Sequence, residues 1–296
     1  MSEHKSLGHA VIIEPLSGGG VAGVNGIESN NPSTRNDTIE LIRCPLPLLD
    51  DIYAKRMIPV AGGGWEPMNT YIPREQGDYL YTLVRRLRPA VTVEIGMANG
   101  LSSCFIAQGL KDNGTGRHIS IDPFQRTEWK GAGLALTEMA GLGGLVEVVE
   151  KFSHQGLPEL EQRGLRASLI FIDGNHVFDY VISDFLCADH ILEVGGLLVF
   201  DDSDWPAIND ALRYIVTNRG YEVAFPEVII EGHRHHPTAT GRMLRRIGKW
   251  LPAFGAKLRP DFLTTSFDLG LRGRCVVLRK TSQDERDGQS RFHKPF

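Results

Sequence analysis

The chain reads as a doubly wound α/β domain, a parallel sheet with helices on both faces, and three observations carry that reading. Short runs rich in Val, Ile and Leu recur near 91–95, 117–121, 146–150, 168–172 and 196–200. They do not alternate with polar residues, which is the pattern of strands buried on both faces. Helical patterns separate them, near 101–111, 128–141, 155–163 and 177–192, so strand and helix alternate as crossover units require. Finally, the runs end in acids or glycines: Glu94-Ile95-Gly96, Asp122, Asp173 and Asp201-Asp202. Ligands of such sheets bind outside the carboxyl ends of the strands, so these residues are the ones to follow.

Length and composition agree. A domain of this class reaches about 200–250 residues, and the 296 residues here, 42% of them hydrophobic, suffice for one such core with appendages. Residues 1–45 are rich in Gly, Ser and Asn and are expected to form a flexible arm, residues 46–280 the domain, and 281–296 a polar tail. The segment 58–73, with Gly62-Gly63-Gly64-Trp65, reads as a loop, and Gln76 to Arg88 as a helix that Pro89 closes. A net charge of −4 gives no general attraction to nucleic acid, and no nucleic-acid partner is expected. Cys44, Cys104, Cys187 and Cys275 lack metal-type spacing and read as apolar residues of a reducing compartment. With no signal-peptide stretch and no long apolar run, the expected location is cytoplasmic, without stable membrane insertion.

The most informative stretch is Val91-Thr92-Val93-Glu94-Ile95-Gly96-Met97-Ala98-Asn99-Gly100. A strand runs into an acid and a glycine turn, and a helix opens near Leu101-Ser102-Ser103, which is the first unit of a Rossmann-like nucleotide site. The spacing E-x-G-x-x-x-G differs from the glycine pattern that cradles a pyrophosphate. A carboxylate there suits a cationic or hydroxyl-bearing cofactor. The glycines could instead serve only close packing of strand on helix. Asp122, followed by Pro123-Phe124, ends the second strand, where an acid can take both ribose hydroxyls and an aromatic can cover adenine. A turn or helix-capping Asp is the plainer alternative. Ser153, after the third strand, could bond the adenine amino group or simply start a helix.

The fourth and fifth strands carry the chemistry. Asp173 follows one and Asp201-Asp202 the other, and in a doubly wound sheet these strands are neighbours. Three carboxylates in one cleft repel unless a cation neutralises them or one keeps its proton. An all-oxygen set suits Mg²⁺; as single residues, each could equally cap a helix. His176, three positions past Asp173, could accept a proton at neutral pH from its ordinary pKa of about 6.5, or could be a surface residue at a helix start.

The turn after the first strand resembles motif I of class I S-adenosylmethionine-dependent methyltransferases. The strand-end acids resemble those of divalent-metal-dependent small-molecule O-methyltransferases, such as the catechol and macrolide-sugar enzymes, and Ile172-Asp173-Gly174-Asn175-His176 looks like the cephalosporin-hydroxylase-like group. The resemblance covers roughly residues 70 to 225. It implies a Rossmann-like, seven-stranded, mostly parallel sheet, and S-adenosylmethionine bound by Glu94, Gly96, Met97, Gly100, Ser102, Asp122, Pro123, Phe124, Ser153 and Asp173. It further implies Mg²⁺ held by Asp173, Asp201 and Asp202, with His176 removing the proton of a small-molecule hydroxyl acceptor. Asn175 and the long ends depart from the pattern and leave the acceptor open. Metal-independent methyl transfer and a non-catalytic cofactor-binding or assembly module are the alternatives.

Before the last strand, expected at Arg274–Leu278, lies an insertion of about 231–270. Seven Lys or Arg residues between 231 and 260 face one acid, Glu231, and Met243, Leu244, Ile247, Trp250 and Leu251 share one helical face. Such a basic amphipathic helix packs on its own domain or on a second copy in a homo-oligomer. His233, His235 and His236 read as a solvated loop.

Overall fold

The computed structural model describes residues 39–232 and 264–286. A helix α1 (Pro47–Lys55) leads into an antiparallel hairpin of β1 (Met57–Val60) and β2 (Gly64–Pro67). The main sheet is built from β3 (Val91–Ile95), β4 (Arg117–Ile121), β5 (Val146–Val149), β6 (Ala167–Ile172), β7 (Leu192–Phe200), β8 (Tyr221–Ala224) and β9 (Val276–Lys280). Its order is β5-β4-β3-β6-β7-β9-β8. The first five of these are parallel, and β9 runs antiparallel to both β7 and β8. This is the seven-stranded, mostly parallel Rossmann-like sheet expected, and the strand order reverses between β3 and β6.

Helices α2 (Arg74–Leu87), α3 (Leu101–Asn113) and α4 (Ala132–Met139) bury their apolar sides with α1 in one cluster, which takes in Leu169 and Phe171 of β6 and Leu197 and Val199 of β7. The other face receives α5 (Ser153–Gln162), α6 (Phe178–Ile191) and α7 (Pro206–Asn218), against Ile170, Ile172, Leu198 and Phe200. Successive strand residues point to opposite faces. Both sets are buried, which is why these strands read as continuous apolar runs.

Three expectations need correction. Residues 39–45, assigned to the flexible arm, are docked: Ile39 and Cys44 are buried, the Ile42 amide donates to Thr82 Oγ1 at 2.8 Å, and the Cys44 amide to Asp78 Oδ1 at 2.8 Å. The supposed loop at 58–73 contains the β1–β2 hairpin, turned by Gly62 and Gly63 at positive φ. Residues 221–224, to which no strand was assigned because they carry little apolar signal, form β8, the remaining strand of the seven that the resemblance implies. The basic helix near 241–251 and His233, His235 and His236 lie outside the described residues. No helix among the described residues is long and apolar enough to cross a membrane.

Candidate active site

The backbone ladder continues past the strand ends and sets the acids side by side. Gly96 N–H donates to Ile121 O at 3.0 Å, Asp173 N–H to Ile95 O at 2.9 Å, and Asp201 N–H to Ile172 O at 3.1 Å. The turn after β3, Asp173 after β6 and Asp201-Asp202 after β7 therefore share one edge, at the point where strand order reverses. That crevice is where sheets of this kind bind ligands.

The glycine turn is built for close approach within the protein itself. Gly96 has φ +91°, and a Cβ there would lie 2.1 Å from the carbonyl oxygen of Asp173. Gly100 has φ +79°, and its Cβ would lie 2.6 Å from Gly133 Cα. Packing of backbone on backbone thus requires both glycines.

Glu94 departs from the role expected of it, and Asp122 takes on a further one. Glu94 is fully buried, and its Oε2 accepts from Ser120 Oγ at 2.9 Å, from Ser103 Oγ, and lies 3.2 Å from His118 Nε2. Burial opposes its charge, yet His118, with Ser102 and Ser103, holds its pKa below the usual carboxylate range. It fastens α3 and β4 to β3 beneath the turn instead of presenting a carboxylate to a ligand. Asp122 is 3% exposed. Its Oδ2 accepts from the amides of Met97 (3.1 Å) and Ala98 (2.8 Å) and from Gln125 Nε2 (3.2 Å), and its Oδ1 from the Phe124 amide (2.8 Å). The acid expected to take a ribose also holds the turn, including Ala98 at φ 45°. Met97 and Ser102 are buried beside it, and Pro123 is half-buried.

A neighbouring apolar wall is open. Phe124 and Phe152, both exposed, meet edge to face with centroids 5.7 Å apart, and His154 stacks on Phe152 at 5.6 Å. Ser153 starts α5, and its hydroxyl bonds Asp184, whose pKa burial pushes up to about 6.

At the other side of the edge the acids gather two cations. His176 Nε2 lies 3.1 Å from Asp202 Oδ2 and 3.5 Å from Asp173 Oδ1. These contacts, with Asp173 first, push the imidazole up to about 10 against the effect of burial. Burial and then the Asp201 charge hold Asp173 well above the usual carboxylate range. The pair is therefore proton-rich, and His176 is not the ordinary neutral imidazole expected at pH 7.

Arg274 was not foreseen as part of the site. Its Nε and Nη2 donate to Asp201 Oδ1 (2.9 Å) and Oδ2 (3.1 Å), and Nη2 lies 3.0 Å from Asp202 Oδ1. Asp201 Oδ1 also accepts from the Asp202 amide at 2.6 Å. Both oxygens of Asp201 are thus taken, so the expected metal triad of Asp173, Asp201 and Asp202 does not stand open to Mg²⁺. The set with ligand atoms close enough for a cation, all within 4.8 Å of one another, is Asp173, His176 and Asp202. It includes an imidazole nitrogen, and Arg274 already sits on Asp202, so it does not match the hard, all-oxygen site expected of Mg²⁺.

A cleft of about 620 Å³ opens beside this cluster, lined by Arg274 and Trp205 together with Tyr53, Arg56, Thr70 and Tyr71 among others. Trp205 leans on His176, with centroids 5.0 Å apart. Asn99 Nδ2 donates to Thr70 O at 2.8 Å, so the glycine turn reaches the rim of the same cleft. Trp205 follows the strand-end acids closely enough to have been noticed, but Arg56 and Tyr71 gave no signal in sequence.

Residues 93–203 match the family described as "Methyltransferase domain". No curated protein matches the chain. Similar solved structures include the O-methyltransferase TomG from Streptomyces achromogenes, in complex with SAM (22% identity, 52% of this chain and 73% of that one, TM-score 0.45). Another is the O-methyltransferase from Bacillus cereus in complex with SAH (19% identity, 65% and 84%, TM-score 0.48). A third is a putative O-methyltransferase from Klebsiella pneumoniae (18% identity, 53% and 74%, TM-score 0.47).

Proposed function

We propose that this chain, whose residues 93–203 match the methyltransferase-domain family, moves a methyl group from S-adenosylmethionine to a hydroxyl of a small molecule. One observation carries the reading: the glycine turn, the Asp173–His176–Asp202 cluster and the cleft meet where the strand order of the sheet reverses. The turn 96–100 would lie along the cofactor, with the exposed Phe124–Phe152 wall against its adenine and Asp173 near its amine. Glu94 and Asp122 act on the cofactor by fixing that turn.

The acceptor would enter the cleft between Tyr71 and Trp205 and bring its oxygen in line with the sulfonium methyl. Such a transfer is mainly a positioning problem. As the oxygen–methyl bond forms and the sulfur–methyl bond breaks, the hydroxyl proton passes to the His176–Asp173 pair. The raised imidazole makes a stronger base than free histidine, but only the small deprotonated fraction is competent at neutral pH. Mg²⁺, expected from the resemblance, does not fit the acids as they are held, and no step runs through it.

Mass spectrometry of the purified protein for retained S-adenosyl ligand, followed by calorimetry with S-adenosylhomocysteine, tests the cofactor. The expected result is one ligand per chain and no displacement by NAD. Displacement by NAD would overturn the methyl-transfer reading.

A further inference from the structure

We infer that Arg274 is the resident cation of the strand-end acids, so that it occupies by a side chain the place a divalent ion would take, and that removing it converts the cluster into a divalent-cation site. The inference follows from sheet geometry. β9 is antiparallel to β7 with Phe200 opposite Val276. An antiparallel last strand begins at the edge where the parallel strands end. The residues just before Val276 are therefore carried to the acids after Phe200, and Ser203 N–H donates to Arg274 O at 2.7 Å, fixing that register.

The guanidinium meets the requirements a cation would otherwise meet. Its side chain is 18% exposed, and those of Asp201 and Asp202 are 1% and 9% exposed, so the ion pairs are largely withdrawn from water. It grips Asp201 with two parallel donors, the fork geometry for which arginine is suited and lysine is not. Asp202 is held at φ 45° by its turn, and Trp205 N–H donates back to Asp202 O at 2.8 Å. The acids are thus preset to converge on one positive group. A divalent ion bound in addition would sit against a fixed positive charge at the same oxygens.

Two consequences differ in what they rest on. That the parent chain binds no divalent ion at this edge rests on the geometry alone. That methyl transfer proceeds after chelation rests on the proposed function as well.

The test is Mn²⁺ binding, read by electron paramagnetic resonance and by melting temperature, on the parent chain, Arg274→Ala and Arg274→Lys. The parent should bind no stoichiometric Mn²⁺ at tens of micromolar, and its melting temperature should not move. Arg274→Ala should melt lower without metal, bind one Mn²⁺ per chain at least tenfold more tightly than the parent, and recover in melting temperature with it. Arg274→Lys should bind more weakly than Arg274→Ala, because one positive charge remains. One tight Mn²⁺ in the parent, lost in Asp202→Asn, would overturn the inference. So would a folded Arg274→Ala chain that gains no Mn²⁺. Should Arg274→Ala fail to fold, the parent titration and Arg274→Lys still decide it. Because these readouts involve no methyl transfer, their failure is distinct from failure of the cofactor test.

Discussion

Replacing Glu94 by Ala separates a carboxylate that touches a ligand from one that holds the fold. Glu94 is fully buried and is the common acceptor for Ser103, Ser120 and His118. Removing one partner of a buried charged cluster costs about 3–5 kcal/mol, because the groups left behind have no water to turn to. For a domain of this size each kcal/mol lowers the melting temperature by about 2–4 °C, so the ligand-free variant should melt roughly 6–20 °C lower. Calorimetry with S-adenosylhomocysteine, run cold enough to keep the variant folded, should show affinity changed by less than about 1 kcal/mol, or about fivefold. A pH series on Glu94→Gln adds a signed check. A carboxylate held below its usual range contributes stability above the unfolded pKa of about 4.3 and loses it as the pH falls through the folded value. The parent should accordingly lose more stability on acidification than Glu94→Gln. An unchanged ligand-free melting temperature with tenfold weaker ligand binding would refute the structural role and return Glu94 to the cofactor.

Other perturbations reach the rest of the edge. Gly96→Ala sets a methyl group 2.1 Å from Asp173 O at φ +91°, and strain with overpacking should cost about 2–5 kcal/mol, measured by denaturant unfolding; a fully stable variant would mean that the turn and the β6 end are not packed as described. Asp122→Ala frees the amides of Met97 and Ala98 and should weaken S-adenosylhomocysteine by about 1.5–3 kcal/mol through loss of turn order. Backbone exchange of 97–98 faster in the ligand-free variant would mark that route, and unchanged exchange would speak for a direct ribose contact. The imidazole of His176, raised to about 10 by Asp173 and Asp202, must shed its proton to act, so kcat/KM should climb with pH toward that value. The same linkage leaves the stability from this pair present below about pH 6.5 and withdraws it as the pH rises through about 10. Asp202→Asn removes one anion and should shift the kinetic limb downward; an unmoved limb would exclude His176 as the titrating group.

The parallel core was legible because its strands are buried on both faces, and residues such as Leu169 to Ile172 therefore carry no polar alternation to confuse with other structure. The acids were legible because strand ends are marked in sequence by the change from apolar to acidic. What the strand-end rule cannot supply is the direction in which a side chain spends its hydrogen bonds. Glu94 and Asp122 sit where ligand-binding acids sit, but their partners Ser103, His118, Ser120 and Gln125 come from other elements, and only the packed fold brings them together. The hairpin β1–β2 escaped notice for a different reason: its glycines and exposed Trp65 match a loop as well as a tight two-stranded turn.

Arg274 shows the limit most clearly, because its role depends on one topological choice. Were the last strand parallel to β7, its first residues would begin at the amino edge, and the arginine would lie a full strand length from Asp201. A strand of β9's five residues spans about 17 Å, far beyond any side chain's reach. Antiparallel entry reverses this and brings a cation to the carboxyl edge through chain direction alone. The acids after β6 and β7 then need no outside ion to coexist in a buried place, since Arg274 and His176 answer Asp201 and Asp202 while burial and the Asp201 charge favour the protonated form of Asp173.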